Sequence, residues 1–161
     1  MAIKSVELVC MANYCRSPVA EKILESLNLE NISFSSSGIR PYPSASMDKR
    51  SYEYISNLGI SNKSHIPRKI TSEIVQATDL VLAMDAENHS ILLEMAGGLM
   101  PHIRMFSDYL DDNWPSDVPD PYYGEEDGFD QVLDMLEEGC PVILQTLMGE
   151  GIFDGMFEEE Q

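Results

Sequence analysis

The chain has 161 residues, 43% of them hydrophobic, which is enough for one domain spanning 1–161 that buries a core without disulfide or metal staples. Lys and Arg number 10 against 28 Asp and Glu, a net charge of −18 that argues against nucleic-acid or anionic-membrane partners. No apolar run reaches membrane-spanning length, residues 2–9 are too short and too charged for a signal peptide, and three cysteines make no disulfide framework, so a cytoplasmic protein is expected.

Taken in order, the apolar run 6–9 predicts a first strand, and residues 18–27 predict a helix with Pro18 in its first turn and Val19, Ile23 and Leu27 on one buried face. Residues 32–35 predict a second strand. Pro41, Tyr42 and Pro43 make 38–45 a loop. Tyr52, Ile55 and Leu58 have helical spacing over 47–58, and Gly59 sits where a helix C-terminus favours glycine. A loop over 60–68, a short helix over 71–77 and a third strand over 79–83 follow. Asp85 suits the N-cap of a helix over 86–95 that Gly97 and Gly98 end, with Asn88, Ile91, Leu92 and Met95 along one side. Residues 102–106 predict a fourth strand, 107–128 a long acidic loop, and 129–147 a last helix broken near Pro141. A frayed acidic tail is expected from about residue 149. Strands alternating with helices imply an α/β fold, a parallel sheet with helices on both faces.

The acidity is uneven. No Lys or Arg follows Arg104, whereas 17 Asp and Glu lie between Asp108 and Glu160. A solubilising surface is a simpler reading than a docking face for a basic partner. Asp108, Asp111, Asp112 and Asp117 lack the spacing and central glycine of a calcium loop, so no metal is expected there.

The chemistry concentrates in Cys10-Met11-Ala12-Asn13-Tyr14-Cys15-Arg16-Ser17, a tight turn between the first strand and first helix. So short a loop curls the backbone N–H groups of residues 11–15 toward one centre, and the helix N-terminus adds positive potential. A thiol beneath this oxyanion cradle and a guanidinium at its rim point to phosphate-monoester chemistry. Cys10 is the expected nucleophile. Arg16 offers a planar fork to two phosphoryl oxygens. Ser17 is suited either to donating a hydrogen bond to the Cys10 sulfur or to capping the helix. Cys15 lies near enough in sequence for a redox disulfide with Cys10, and Cys140 reads as core.

This loop, at this distance from the N-terminus, resembles that of the low-molecular-weight protein tyrosine phosphatases. Asp120-Pro121-Tyr122-Tyr123-Gly124 resembles the same family's general-acid loop. Ser36-Ser37-Gly38, His65-Ile66-Pro67-Arg68-Lys69 and Leu82-Ala83-Met84-Asp85 fall between them in the family's order. The resemblance implies a four-stranded sheet in the order 2-1-3-4 and a cysteinyl-phosphate mechanism on phosphotyrosine proteins or peptides, without metal or cofactor. It also implies Asp120 as general acid, Tyr122 and Tyr123 as aromatic walls and candidate phosphorylation sites, and a network of Asn13, Ser17, Ser36 and His65 that stiffens the cradle. Tyr14 and Tyr42 are expected to shape the pocket. Asp48 and Asp85 occur at family-typical places, but helix capping accounts for both.

Ala12 departs from the family's glycine, and alanine there costs on the order of 1 kcal/mol if φ is positive. Three rivals remain. An arsenate reductase needs further cysteines after the third strand, and residues 79–100 contain none. A phosphatase for phosphoarginine or small phosphoesters shares the same loop. A silent phosphate-binding module is disfavoured by the joint presence of Cys10, Arg16, Ser17 and Asp120.

Overall fold

In the computed structural model, which describes residues 3–27, 31–121 and 126–160 (the last with side chains for 128–149), β1, Ser5–Cys10, runs through the middle of the molecule. Its parallel neighbours are β2, Ser33–Gly38, and β3, Leu80–Ala83, and β4, Ile103–Met105, lies outside β3. The order β2-β1-β3-β4 is the order expected. β2 begins and ends later than its apolar residues suggest, because Ser35, Ser36 and Ser37 continue the ladder up to Gly38 opposite Cys10.

The two-residue alternation of the strands divides the core. Val6, Leu8, Cys10, Leu80, Leu82 and Met84 join one cluster with residues of α1, Arg16–Ser26, and α5, Glu126–Glu160. Val9, Val81, Ala83 and Ile103 join another with Val75 of α3, Ser72–Ala77, and Leu92 of α4, Ala86–Met95. Helices on both faces leave the C-terminal ends of the strands as the open edge of the sheet, the usual ligand-binding edge of such folds.

Local signals explain most boundaries. Asp48 caps α2, Lys49–Asn57, through Arg50 N at 2.8 Å, and Asp85 caps α4 through Asn88 N at 2.8 Å. Gly59 follows α2 with φ of 81°, a left-handed position that glycine occupies without strain. Acidic side chains of the 106–118 stretch also bond backbone N–H groups, near and far in sequence. Asp108 accepts from Met105 N at the start of a 3-10 turn over Phe106–Tyr109, and Asp117 accepts from Ala86 N at 2.9 Å.

Three expectations are corrected. α1 starts at Arg16, its buried side is Val19, Ala20, Ile23 and Leu24, and Leu27 ends the helix 45% exposed. Tyr52 and Leu58 are likewise exposed, so Ile55 anchors α2. α5 is not broken at Pro141 and continues past residue 147 to Glu160. Pro141 and its neighbour Val142 face outward, where water can take the Glu137 carbonyl that proline leaves unpaired. Leu136, Cys140, Ile143, Leu144 and Leu147 are buried and hold the helix down on either side of the proline.

Candidate active site

The loop between β1 and α1 is tied outward by its carbonyls. Cys10 O accepts from Ile39 N, Met11 O from Arg40 N, Ala12 O from Tyr42 N and Tyr14 O from Asp48 N, at 2.7–3.1 Å. Asn13 O faces His65 Nε2 at 2.8 Å, and Cys15 O receives Ser51 Oγ at 3.4 Å. In a trans peptide the N–H points opposite to the C=O. With every carbonyl from Cys10 to Cys15 taken on the outside, the N–H groups of residues 11–16 turn inward around the Cys10 sulfur. Asn13 N–H meets that sulfur at 3.2 Å.

Asn13 makes the curl possible. It has φ of 50°, the one positive value outside glycine among the described residues. Ala12 therefore carries none of the strain that its departure from glycine threatened. The glycine that the loop does require is Gly38: a Cβ there would lie 2.8 Å from Asn13 N and 2.9 Å from Met11 O, both backbone atoms.

Beneath the cradle, Asn13 Nδ2 donates to Ser17 Oγ at 2.8 Å and to Ser36 Oγ at 3.0 Å. Ser17 Oγ lies 3.0 Å from Cys10 Sγ. Cys15, not Ser17, occupies the N-cap of α1, so Ser17's hydroxyl serves the sulfur and the network instead of a cap. His65 joins through the Asn13 carbonyl, so its Nε2 must carry the proton. Burial lowers the His65 pKa against the pull of that hydrogen bond.

Sequence reasoning missed two members of this network. Glu21, buried in α1, accepts from Ser36 Oγ at 2.8 Å. Arg68 N donates to Asn13 Oδ1 at 2.9 Å, and its guanidinium grips Glu7 through two 2.9 Å contacts. Glu7 is a carboxylate 1% exposed in the central strand, and without Arg68 and Ser35 Oγ it would be an unpaired buried charge. An alternating strand pattern marks Glu7 as a position facing one side of the sheet and carries no sign of which cation will meet it.

Arg16 is 2% exposed. Its Nη1 donates to Asp85 Oδ2 at 2.8 Å and to Val118 O at 2.7 Å, and its Nη2 lies 3.8 Å from Asp120 Oδ2. Burial alone would lower the guanidinium's proton affinity, but Cys10, the Asp85 hydrogen bond and Asp120 outweigh it and raise the pKa. Asp85 thus does more than cap: one oxygen holds α4 and the other holds Arg16. Val118 N also bonds Met84 O at 2.8 Å, which fixes the chain two residues before Asp120 against the end of β3.

One cavity of about 430 Å³ is lined by Cys10, Met11, Ala12, Tyr14, Cys15 and Arg16 of the loop, by Arg40, Pro41, Tyr42 and Pro43 of the segment strapped to it, and by Asp120. Tyr14 and Tyr42 form a single aromatic wall, with ring centroids 4.4 Å apart. Of the predicted pocket residues, Tyr122 and Tyr123 lie outside the described residues. Cys15 and Cys140 are buried free thiols, as is Cys10. Burial, with Asp48 and Cys10 adding to it, pushes the Cys15 thiol pKa up, and burial does the same for Cys140.

Comparison with known proteins agrees with this geometry. The model of the family described as "Low molecular weight phosphotyrosine protein phosphatase" matches residues 5–151. The low molecular weight protein-tyrosine-phosphatase YfkJ of Bacillus subtilis is 35% identical over 91% of this chain and 97% of its own, and its crystal structure superposes with a TM-score of 0.84 over 93% of this chain and 98% of that one. Etp of Escherichia coli K12, of the same description, is 30% identical over 85% of this chain and 90% of its own. A solved structure of a cysteine-to-serine mutant of the YwlE arginine phosphatase, with that active-site serine phosphorylated, matches at 26% identity and a TM-score of 0.79 over 89% of this chain and 95% of that one. With the strand order, the cysteine–arginine loop and these relatives in agreement, the chain belongs to the low molecular weight phosphotyrosine protein phosphatase family.

Proposed function

We propose that the chain hydrolyses phosphotyrosine in proteins or peptides through a cysteinyl-phosphate intermediate. The observation that carries this reading is the inward turn of the loop's N–H groups around Cys10 Sγ, forced by carbonyls bonded on the outside. Three equatorial phosphoryl oxygens need many fixed donors, and donors already in place cost no reorganisation when charge develops. The Cys10 thiolate attacks phosphorus in line with the departing phenolate. Arg16 Nη1 is held by Asp85 and Val118, which leaves Nε and Nη2 to grip two oxygens as the phosphoryl group flattens. Asp120 gives its proton to the phenolate oxygen and then, as a carboxylate, takes a proton from the water that cleaves the S–P bond. Ser17 Oγ, 3.0 Å from the sulfur, stabilises the thiolate that leaves in that second step. No step requires a metal or cofactor.

The joined rings of Tyr14 and Tyr42 favour an aryl substrate, on which they can stack. Likeness to an arginine phosphatase supports phosphoarginine as the second reading. Side-by-side turnover of phosphotyrosine, phosphoarginine and phosphoserine peptides decides: phosphotyrosine is expected to lead, and a lead for phosphoarginine would reverse the assignment.

Mild peroxide is expected to inactivate the enzyme reversibly. Cys10 would be oxidised to a sulfenic acid, and the Cys15 thiol would displace water from it to close a disulfide. Burial holds Cys15 protonated, which favours Cys10 as the first sulfur oxidised. Peptide mapping of the oxidised protein should find Cys10 joined to Cys15. Cys10 recovered as sulfinic acid, or joined to Cys140, would overturn the idea. The chain is read as a cytoplasmic protein in keeping with this chemistry. Among the described residues no helix is long and apolar enough to cross a membrane.

A further inference from the structure

We infer that Arg40 makes this site selective for phosphotyrosine flanked by acidic residues, an inference that rests on the phosphotyrosine reading. Arg40 lines the cavity with its side chain exposed. Its backbone is not free to drift, since Arg40 N donates to Met11 O at 2.7 Å and so seats the residue against the cradle.

The other arginines have work elsewhere. Arg16 is held by Asp85 and Val118, and Arg68 is spent on Glu7 and Ser36 O. Arg50 bonds Asp48 and stacks on Phe129, and Arg104 bonds Pro101 O and Tyr109. Among the described residues, the Arg40 guanidinium has no carboxylate within ion-pair distance although acidic residues outnumber basic ones by 28 to 10. A long cation in so acidic a chain that meets no carboxylate among the described residues, and that stands at an anion-binding cavity, is placed to meet an anion brought by the substrate.

The phosphoryl group itself goes deeper, to the loop N–H groups and the buried Arg16. What remains within reach of an exposed side chain at the rim is a carboxylate next to the phosphotyrosine in the peptide. A peptide backbone lying across the mouth would set an Asp or Glu beside Arg40 while the phenyl ring stands against Tyr14 and Tyr42. The overall charge of −18 repels an acidic peptide at long range, so the preference must come from this local contact and must weaken with salt, which screens exposed pairs.

The test is a ratio. kcat/KM is measured for two phosphotyrosine peptides that differ only in having Asp or Ala beside the phosphotyrosine, in the unmodified enzyme, Arg40→Gln and Arg40→Glu. An exposed ion pair supports a preference of about two- to fivefold for the acidic peptide. That ratio should fall to about one in Arg40→Gln and below one in Arg40→Glu, and in the unmodified enzyme it should shrink with added NaCl. Any general loss of activity in a variant affects both peptides and cancels. Equal turnover of the two peptides by the unmodified enzyme, or an acidic preference that survives Arg40→Glu, overturns the inference and leaves the phosphatase reading intact. Failure of both peptides to turn over in the unmodified enzyme instead overturns the phosphotyrosine reading on which it rests.

Discussion

Cys10→Ser is expected to reduce turnover of phosphotyrosine to background, a loss at least on the order of ten-thousandfold, with the melting temperature nearly unchanged. A serine hydroxyl is close in size to the thiol and can take up the hydrogen bonds from Asn13 N and with Ser17 Oγ, so the loop keeps its donors and its shape. What it loses is the sulfur nucleophile, which attacks phosphorus far more readily than a hydroxyl does. Arg16→Lys is expected to fail for a different reason. An ammonium group can satisfy Asp85 or Val118 O but cannot hold both and still present two donors to a phosphoryl group. Its loss should be on the order of a hundredfold or more in kcat/KM, as for removal of a fixed oxyanion donor. Some melting temperature should go with it, because the guanidinium also ties down the Val118 segment. Substantial turnover by either variant, or a requirement for added metal, would remove the cysteinyl-phosphate mechanism.

What could be read from the sequence was what is local. A strand, a five-residue turn and a helix with Pro18 in its first turn are neighbours in the chain, so their juxtaposition follows from connectivity. Asp48 and Asp85 declared themselves by their places before helices. Long-range pairings were silent. Asp85 and Arg16 are 69 residues apart, and an aspartate at an N-cap looks complete without a second partner. Glu7 and Arg68 are 61 apart, and they meet because the Arg68 segment bonds to Gly38 at the end of β2, the strand paired with β1. Strain at Ala12 follows only if the family's glycine reflects positive φ at that residue. The left-handed position is one residue later, and the close approach that demands glycine belongs to Gly38 on the neighbouring strand. Pro141 marked a helix break by local propensity, and packing on both sides overrode it. Arg40 sits in a stretch that reads as a loop, and its importance depends on a wall of the cavity that exists only once Ile39, Arg40 and Tyr42 are strapped to Cys10, Met11 and Ala12.

Asp120→Asn is expected to cost activity in proportion to how badly the leaving group needs a proton. Asp120 lines the cavity with Cys10 and lies 3.8 Å from Arg16 Nη2. Phenolate has a conjugate acid of pKa about 10, so its departure unprotonated from phenyl phosphate is slow. There the amide should lose roughly a hundredfold to ten-thousandfold in kcat/KM, the range for general acid–base assistance. An aryl phosphate with strongly electron-withdrawing substituents releases an anion that leaves unaided, and the loss should be much smaller. The ratio kcat/KM is the right quantity, because it reports steps up to the first phosphoryl transfer and is blind to hydrolysis of the cysteinyl phosphate. Asp117→Asn is the control. Its carboxylate is bonded to Ala86 N at 2.9 Å, at the start of α4, so it is committed to structure and should show no dependence on the leaving group. Equal losses on both substrates in Asp120→Asn, or the leaving-group pattern in Asp117→Asn, would show that another residue supplies the proton.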